Sequence, residues 1–201
     1  MRIHLIRHGQ TAPEPPNSFY GGSEVPLSAV GQQQATEAAR LLSHEALDCI
    51  ISSPLKRAMF GAEQIQMRHT KLDISVCDGF REIDRGRWVG HDLESLKQTF
   101  PGDWSAYLKD PLNWNGNGGE SINELRSRVL ASFTDIANGE QRNIAVVAHL
   151  FPIRSILSSI RQQDVVDDML NLSIATASVT TIFGGSGLEN WQIERMGHVP
   201  Y

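Results

Sequence analysis

Arg7 and His8 stand side by side where a short apolar strand, Met1-Arg2-Ile3-His4-Leu5-Ile6, gives way to Gly9-Gln10-Thr11. A guanidinium can fork two hydrogen bonds onto an anionic oxyacid. An imidazole can act as a nucleophile or as an acid–base group. Glycine lets a backbone approach a ligand closely, and strand ends in open α/β sheets are where ligands bind. The chemistry this stretch suggests is that of phosphate. More groups of the same kind follow along the chain. Ser52-Ser53-Pro54-Leu55-Lys56-Arg57-Ala58 comes after a second apolar strand, Asp48-Cys49-Ile50-Ile51. Arg81-Glu82-Ile83-Asp84-Arg85-Gly86-Arg87-Trp88-Val89-Gly90 is next, then Gly118-Gly119-Glu120-Ser121, and Ile144-Ala145-Val146-Val147-Ala148 ends on His149. Taken singly, each has a plainer meaning. Arg57 reads as a solvated cation, Glu82 as one member of a surface ion-pair cluster, and His149 as a satisfied core histidine.

Strand and helix patterns alternate, which predicts an α/β fold: a three-layer αβα sandwich around a mostly parallel sheet. Ser28 reads as an N-cap leading Ala35, Ala38, Ala39 and Leu42 onto one helical face. Ser53-Pro54 reads as a cap followed by proline at the first helical position, with Leu55, Met59 and Ala62 as the buried stripe. Ser121 and Glu124 form a capping box before Ile122, Leu125, Val129, Phe133 and Ile136. After His149, Pro152 suits a first helical turn that leads Ile153, Ile156, Leu157 and Ile160 inward. Val179–Phe183, a Gly-rich turn and Trp191-Gln192-Ile193 read as a β-hairpin. Residues 80–120 lack clear periodicity, which predicts an irregular insertion forming the wall or lid of a site.

A chain of 201 residues suffices for one domain with one sizeable core. Its net charge of −5, without a basic tract, argues against nucleic acid as a partner. No apolar run approaches the roughly 20 residues of a membrane helix, and no signal-peptide pattern is present, so no membrane partner is expected. Cys49 and Cys77 read as structural thiols in a reducing compartment, which points to the cytoplasm. The remaining histidines, His4, His44, His69, His91 and His198, belong to no metal-ligand constellation. Neither metal nor cofactor is expected.

The order and spacing of these segments, led by the Arg-His-Gly motif, resemble the histidine phosphatase superfamily, also called phosphoglycerate mutase-like. The resemblance spans essentially the whole chain. It implies that the segments converge at the carboxyl edge of one sheet and that His8 carries the phosphoryl group as a phosphohistidine. It further implies that Arg7, Arg57 and His149 clamp the phosphate oxygens, and that Glu82 protonates the leaving oxygen and then activates water. Asn17-Ser18-Phe19-Tyr20-Gly21-Gly22 matches the segment that lies across the substrate in that family, which makes Asn17, Tyr20 and the Gly21 amide candidate contacts. Gln10, Thr11 and Leu150 are candidate phosphate donors through their backbone amides. Trp88 either stacks on substrate or packs the insertion against the core.

The chain departs from the family pattern in two places. Leu150-Phe151-Pro152 stands where one or two glycines are common, and Met59-Phe60-Gly61-Ala62 where a threonine-alanine pair is usual. Neither change removes a reacting group. The Arg-Gly-Arg-Trp-Val-Gly run looks like that of α-ribazole and broad-specificity phosphatases. The expected activity is a metal-independent phosphomonoesterase for small phosphate esters. Phosphoglycerate mutase is the nearest alternative, though the compact insertion favours hydrolysis. A non-catalytic phosphate-binding module would be signalled by loss of His8, Glu82 or His149, and all are present.

Overall fold

The computed structural model describes residues 1–13 and 15–199. Six strands form its sheet: β1 (Arg2–Arg7), β2 (Cys49–Ser52), β3 (Ile74–Val76), β4 (Asn143–Ala148), β5 (Val179–Phe183) and β6 (Gln192–His198). Their spatial order is β3-β2-β4-β1-β5-β6. The first four run parallel, while β5 is antiparallel to both β1 and β6. The expected hairpin is therefore present, with Phe183 opposite Gln192. The helices are α1 (Ala29–Leu41), α2 (Lys56–Gln66), α3 (Leu93–Thr99), α4 (Pro101–Lys109), α5 (Ile122–Ala137), α6 (Leu150–Arg161) and α7 (Val165–Asn171). The fold is α/β with a mostly parallel sheet between helices, as expected.

The two faces of the sheet follow from alternation along the strands. Ile3 and Leu5 of β1, with Ile144, Val146 and Ala148 of β4, meet Leu125, Val129 and Phe133 of α5 and Ile153, Ile156 and Leu157 of α6. The intervening Ile6, Ala145 and Val147 meet Ala38 and Ala39 of α1 and Ala58, Ala62 and Ile65 of α2. Small residues on α1 and α2 let backbones approach closely. Gly9 and Gly31 are the extreme case, because a Cβ on Gly9 would stand 2.0 Å from the Gly31 carbonyl oxygen. Gly9 is thus required by the packing of the first loop on α1, a use that differs from close approach to a ligand.

Helix starts obey their caps, each worth about 1 kcal/mol. The Ser28 side chain accepts from the Gly31 amide, and Ser121 with Glu124 forms the expected reciprocal box. The start of α2 needs correction. Its N-cap is Leu55, with no side-chain cap, two residues beyond the predicted Ser53. The Ser53 hydroxyl is instead 2.7 Å from His149 Nε2. The buried stripe shifts accordingly to Leu55, Ala58, Ala62 and Ile65, and Met59 is only half-buried.

Residues 80–120 are held by aromatic contacts in place of an amphipathic stripe. Trp88 is buried, stacked on Trp114 with ring centroids 4.8 Å apart, and it also meets Phe19, Trp104 and Tyr107. Of its two expected roles, Trp88 fills that of packing.

Candidate active site

The parallel register brings the two histidines together. Arg7 pairs with Ala148, and the His8 amide donates to the Ala148 carbonyl at 3.1 Å. His8 and His149 therefore leave adjacent strands at the same level, with ring centroids 5.0 Å apart. On the other side of β4, the Ser53 amide donates to the Val147 carbonyl at 3.0 Å, which brings the β2 end to the same edge. The helix after β1 lies on one face of the sheet and the helix after β4 on the other. That is a topological switch point, where a crevice opens beyond the strand ends.

His8 is 2% exposed, and its Nδ1 is 2.7 Å from the Gly9 carbonyl oxygen. A carbonyl only accepts, so Nδ1 carries the proton and Nε2 keeps its lone pair. Burial, reinforced by Arg57 and Arg7, pushes the His8 pKa down to about 3. The imidazole is neutral at pH 7 without any base to deprotonate it. A consequence for stability follows. The unfolded chain binds a proton at this residue below its ordinary value of 6.5, and the folded chain does not until about 3. Stability is intact above pH 6.5 and is lost as pH falls toward 3. At pH 5 the His8 share is on the order of 2 kcal/mol. Urea unfolding in phosphate-free buffer at pH 7 and pH 5 checks this. The wild type should lose about that much more stability between the two pH values than His8→Asn. Equal losses would mean that His8 titrates normally.

Arg7, Arg57 and His149 surround this imidazole. Arg7 donates through Nη1 to the Ile174 carbonyl. Arg57, in the first turn of α2, donates through Nη1 to the Ser23 carbonyl and through Nη2 to the Gly21 carbonyl, both at 2.6 Å. The Tyr20 ring lies 5.1 Å from the Arg57 guanidinium carbon. Burial lowers the pKa of both arginines and Glu82 raises it, and both remain cations. His149 is fully buried, and its pKa is held well below 6.5 by that burial and by His8, Arg57 and Arg7. His149 Nε2 shares a 2.7 Å hydrogen bond with the Ser53 hydroxyl, which fixes the orientation of the ring. Arg7 Nε, Arg57 Nε and His149 Nδ1 are buried without hydrogen-bond partners. Buried N–H groups are ordinarily satisfied, and the two guanidinium N–H groups are donors of the kind an oxyanion accepts from.

Glu82 approaches from the insertion. Its Oε1 accepts from the Ile83 amide at 3.0 Å and from the Phe151 amide, at the start of α6, at 3.3 Å. Arg128 of α5 fixes the backbone that carries it. One guanidinium binds the carbonyls of Gly79, Arg81 and Glu82 and forks onto Glu120. Beside Glu82 opens a cavity of about 860 Å³, lined by Gly22, Ser23, Arg81, Asp84 and Arg128 among others, with neither histidine in its wall. Both histidines are buried, and Glu82 stands in the cavity wall.

The expected substrate contacts divide. Gly21 has φ +44°, and a Cβ there would stand 2.3 Å from the Ile83 carbonyl oxygen, so only glycine fits. Its carbonyl holds Arg57. The Tyr20 hydroxyl accepts from Thr11 Oγ1 at 3.0 Å, which ties those two residues to each other. Leu150 opens α6, directly after His149. Asn17 is exposed, with φ +62°, and lines a separate surface depression with Thr11 and Tyr20. Gln10 needs correction as a phosphate donor, because its amide donates to Gln34 Oε1 at 2.9 Å. Ser53 and Arg128 are positioning groups that sequence reasoning missed. Ser53 stood in a recognised segment but was spent on a helix cap, and Arg128 looked like any cation on the outer face of α5.

A model of the histidine phosphatase superfamily (branch 1) matches residues 3–198. Phosphoserine phosphatase 1 of Hydrogenobacter thermophilus is 31% identical over 157 residues, 78% of this chain and 74% of that protein. Adenosylcobalamin/alpha-ribazole phosphatase of Escherichia coli is 28% identical over 152 residues, 74% of this chain and 73% of that one. Among solved structures, mycobacterial glucosyl-3-phosphoglycerate phosphatase in complex with inorganic phosphate superimposes with a TM-score of 0.82 at 26% identity, covering 99% of this chain and 98% of that one. The chain belongs to branch 1 of the histidine phosphatase superfamily, as one of its phosphatases.

Proposed function

We propose that this protein hydrolyses monophosphate esters of small metabolites in two phosphoryl transfers through His8, without metal or cofactor. The His8 Nε2 lone pair attacks phosphorus, the bond from phosphorus to the ester oxygen breaks, and Glu82 gives that oxygen a proton. Water then attacks the phosphohistidine, Glu82 takes its proton, the P–N bond breaks, and inorganic phosphate leaves. Arg7, Arg57 and His149 meet the charge on the non-bridging oxygens, the main demand of phosphoryl transfer. The observation that carries this reading is the buried His8, whose Nδ1 proton is committed to the Gly9 carbonyl so that Nε2 keeps its lone pair. The organic part of the ester occupies the cavity beside Glu82, walled in part by the 80–120 insertion of a single domain. Leu150 and Thr11 contribute their amides to the phosphate. Free Cys49 and Cys77 suit a reducing cytoplasm. Among the described residues no helix is long and apolar enough to cross a membrane.

Phosphate release from p-nitrophenyl phosphate and from a panel of phosphorylated metabolites tests the proposal. Turnover should be undiminished by EDTA. A coupled assay with 3-phosphoglycerate and 2,3-bisphosphoglycerate should show net phosphate release. Interconversion of phosphoglycerates without released phosphate would replace hydrolysis by mutase chemistry.

A further inference from the structure

The Gly9 carbonyl that accepts from His8 Nδ1 belongs to the same peptide group as the Gln10 N–H. That group is planar, and its C=O and N–H point in opposite directions. The carbonyl end lies 2.7 Å from His8 Nδ1, and the N–H end donates to Gln34 Oε1 of α1 at 2.9 Å. A backbone N–H only donates, so the Gln34 amide turns its oxygen toward the loop. The same oxygen accepts from Thr176 Oγ1 at 3.2 Å. Whatever fixes the Gln10 N–H therefore also aims the carbonyl that holds the His8 ring.

Packing brings this peptide within reach of Gln34. A Cβ on Gly31 would stand 1.9 Å from the Gln10 carbonyl oxygen, so the loop lies directly on the first turn of α1. Gln34, three residues after Gly31, shares that face of the helix. Glycine packing sets how close the loop lies, and the plane of the peptide is left to its hydrogen bonds. The second donor extends the grip. Thr176 precedes Ala177, which is buried with φ +55° and whose amide donates to the His8 carbonyl at 3.0 Å. A non-glycine residue in the left-handed region is strained and persists only where its neighbours over-determine it. One side-chain oxygen thus joins the two loops that hold His8, the ring through Gly9 and the main chain through Ala177. Neither of its hydrogen bonds goes to Arg7, Arg57 or His149.

We propose that Gln34 is a positioning residue for the nucleophile, holding the Gly9–Gln10 peptide so that His8 keeps its proton on Nδ1 and presents a bare Nε2 to phosphorus. The proposal rests on the phosphomonoesterase reading above. The hydrogen bonds run head to tail, from Nδ1–H through the peptide to Gln34 Oε1, and bonds in such a chain strengthen one another. Without the last acceptor the Gln10 N–H is left unpaired, the peptide plane is no longer fixed, and the Nδ1–H tautomer loses its advantage. The opposite tautomer carries its proton on the attacking nitrogen and cannot react. The cations of the clamp are untouched, so phosphate affinity is kept while the chemical step slows.

Nitrogen NMR of protein with ring-labelled histidine reads the tautomer directly, the His8 signals being those missing from His8→Asn. In the wild type at neutral pH, Nδ1 should be protonated and Nε2 bare. Gln34→Met keeps the length of the side chain at a half-buried helix position and loses the carbonyl acceptor. It should move His8 toward protonated Nε2 and lower kcat for p-nitrophenyl phosphate by roughly tenfold, by analogy with the partners that orient metal-bound histidines. Inhibition by inorganic phosphate should hold. Gln34→Glu keeps an acceptor oxygen and should return both tautomer and rate to near the wild type. Gln34→Leu repeats the loss in a second shape, so that a folding failure of one variant leaves the other to decide. A role in folding alone predicts lower stability with the tautomer unchanged. Wild-type His8 protonated on Nε2, or an unchanged tautomer and kcat in either folded variant, overturns the assignment and leaves the phosphatase reading intact. No hydrolysis by the wild type overturns the phosphatase reading, and the spectra still decide whether Gln34 holds His8.

Discussion

Replacing His8 with alanine should lower turnover by on the order of 10⁴-fold or more while leaving the fold standing, the scale seen when a covalent nucleophile is removed. The side chain makes one conventional hydrogen bond, to its neighbour's carbonyl, so little of the core depends on it. Its backbone amide, which anchors the loop to β4, is kept in the variant. Quenching turnover in alkaline denaturant should trap an acid-labile, base-stable phosphoryl group on the wild type and none on His8→Ala. His8→Asn is the stricter control, because a polar side chain of smaller size remains in the clamp but cannot carry phosphate. Unchanged circular dichroism with lost turnover and lost labelling identifies a chemical role. A folded His8→Ala protein that keeps wild-type turnover would end the phosphohistidine mechanism.

What made His8 legible was local: an alternating apolar strand, then a cation, an imidazole and a glycine. The use of that glycine was not legible. Gly9 presses on Gly31, twenty-two positions away, and sequence alone does not say which close approach a glycine serves. The same distinction separates the helix caps. Ser28 and Ser121 bond three residues ahead, inside the window that patterns describe, and both were read correctly. Ser53 has its partner 96 residues away, and the pairing exists only because β2 and β4 lie side by side in register. Arg128 grips carbonyls 46 to 49 residues distant, which no helical period encodes. The insertion hid its order for another reason. Trp88, Trp104, Tyr107 and Trp114 pack by ring geometry across short helices, and ring packing leaves no repeat to detect.

Arg85 shows the limit more sharply. In sequence it sits among Arg81, Arg87 and Asp84 and looks like part of a charged surface run. Arg87 fits that description, being exposed and paired with Asp103. Arg85, two residues earlier, is turned inward between two aromatic rings. Two residues apart, alternation would put them on one face, and it is the tight turn at Gly86, φ +49°, that sends them to different sides.

Glu82→Gln should separate the two chemical steps. Glutamine keeps the side chain's shape and one carbonyl acceptor for the Phe151 and Ile83 amides, so the α6 contact survives. It has no acidic proton to give and no basic oxygen strong enough to activate water. With an alkyl phosphate the leaving alkoxide needs that proton, and the first step should slow by about 10²- to 10⁴-fold. With p-nitrophenyl phosphate the leaving group is already stable, and phosphorylation of His8 should slow far less. The second step still needs a base on both substrates. The variant should therefore release a burst of p-nitrophenol close to one equivalent, then stall as phosphohistidine, which an alkaline quench would recover. A role for Glu82 confined to ion pairing predicts neither the dependence on leaving group nor the burst. Equal losses on both substrates, with no trapped intermediate, would move the acid elsewhere. Asp84 is the first place to look, since its carboxylate stands on the same cavity wall two residues along.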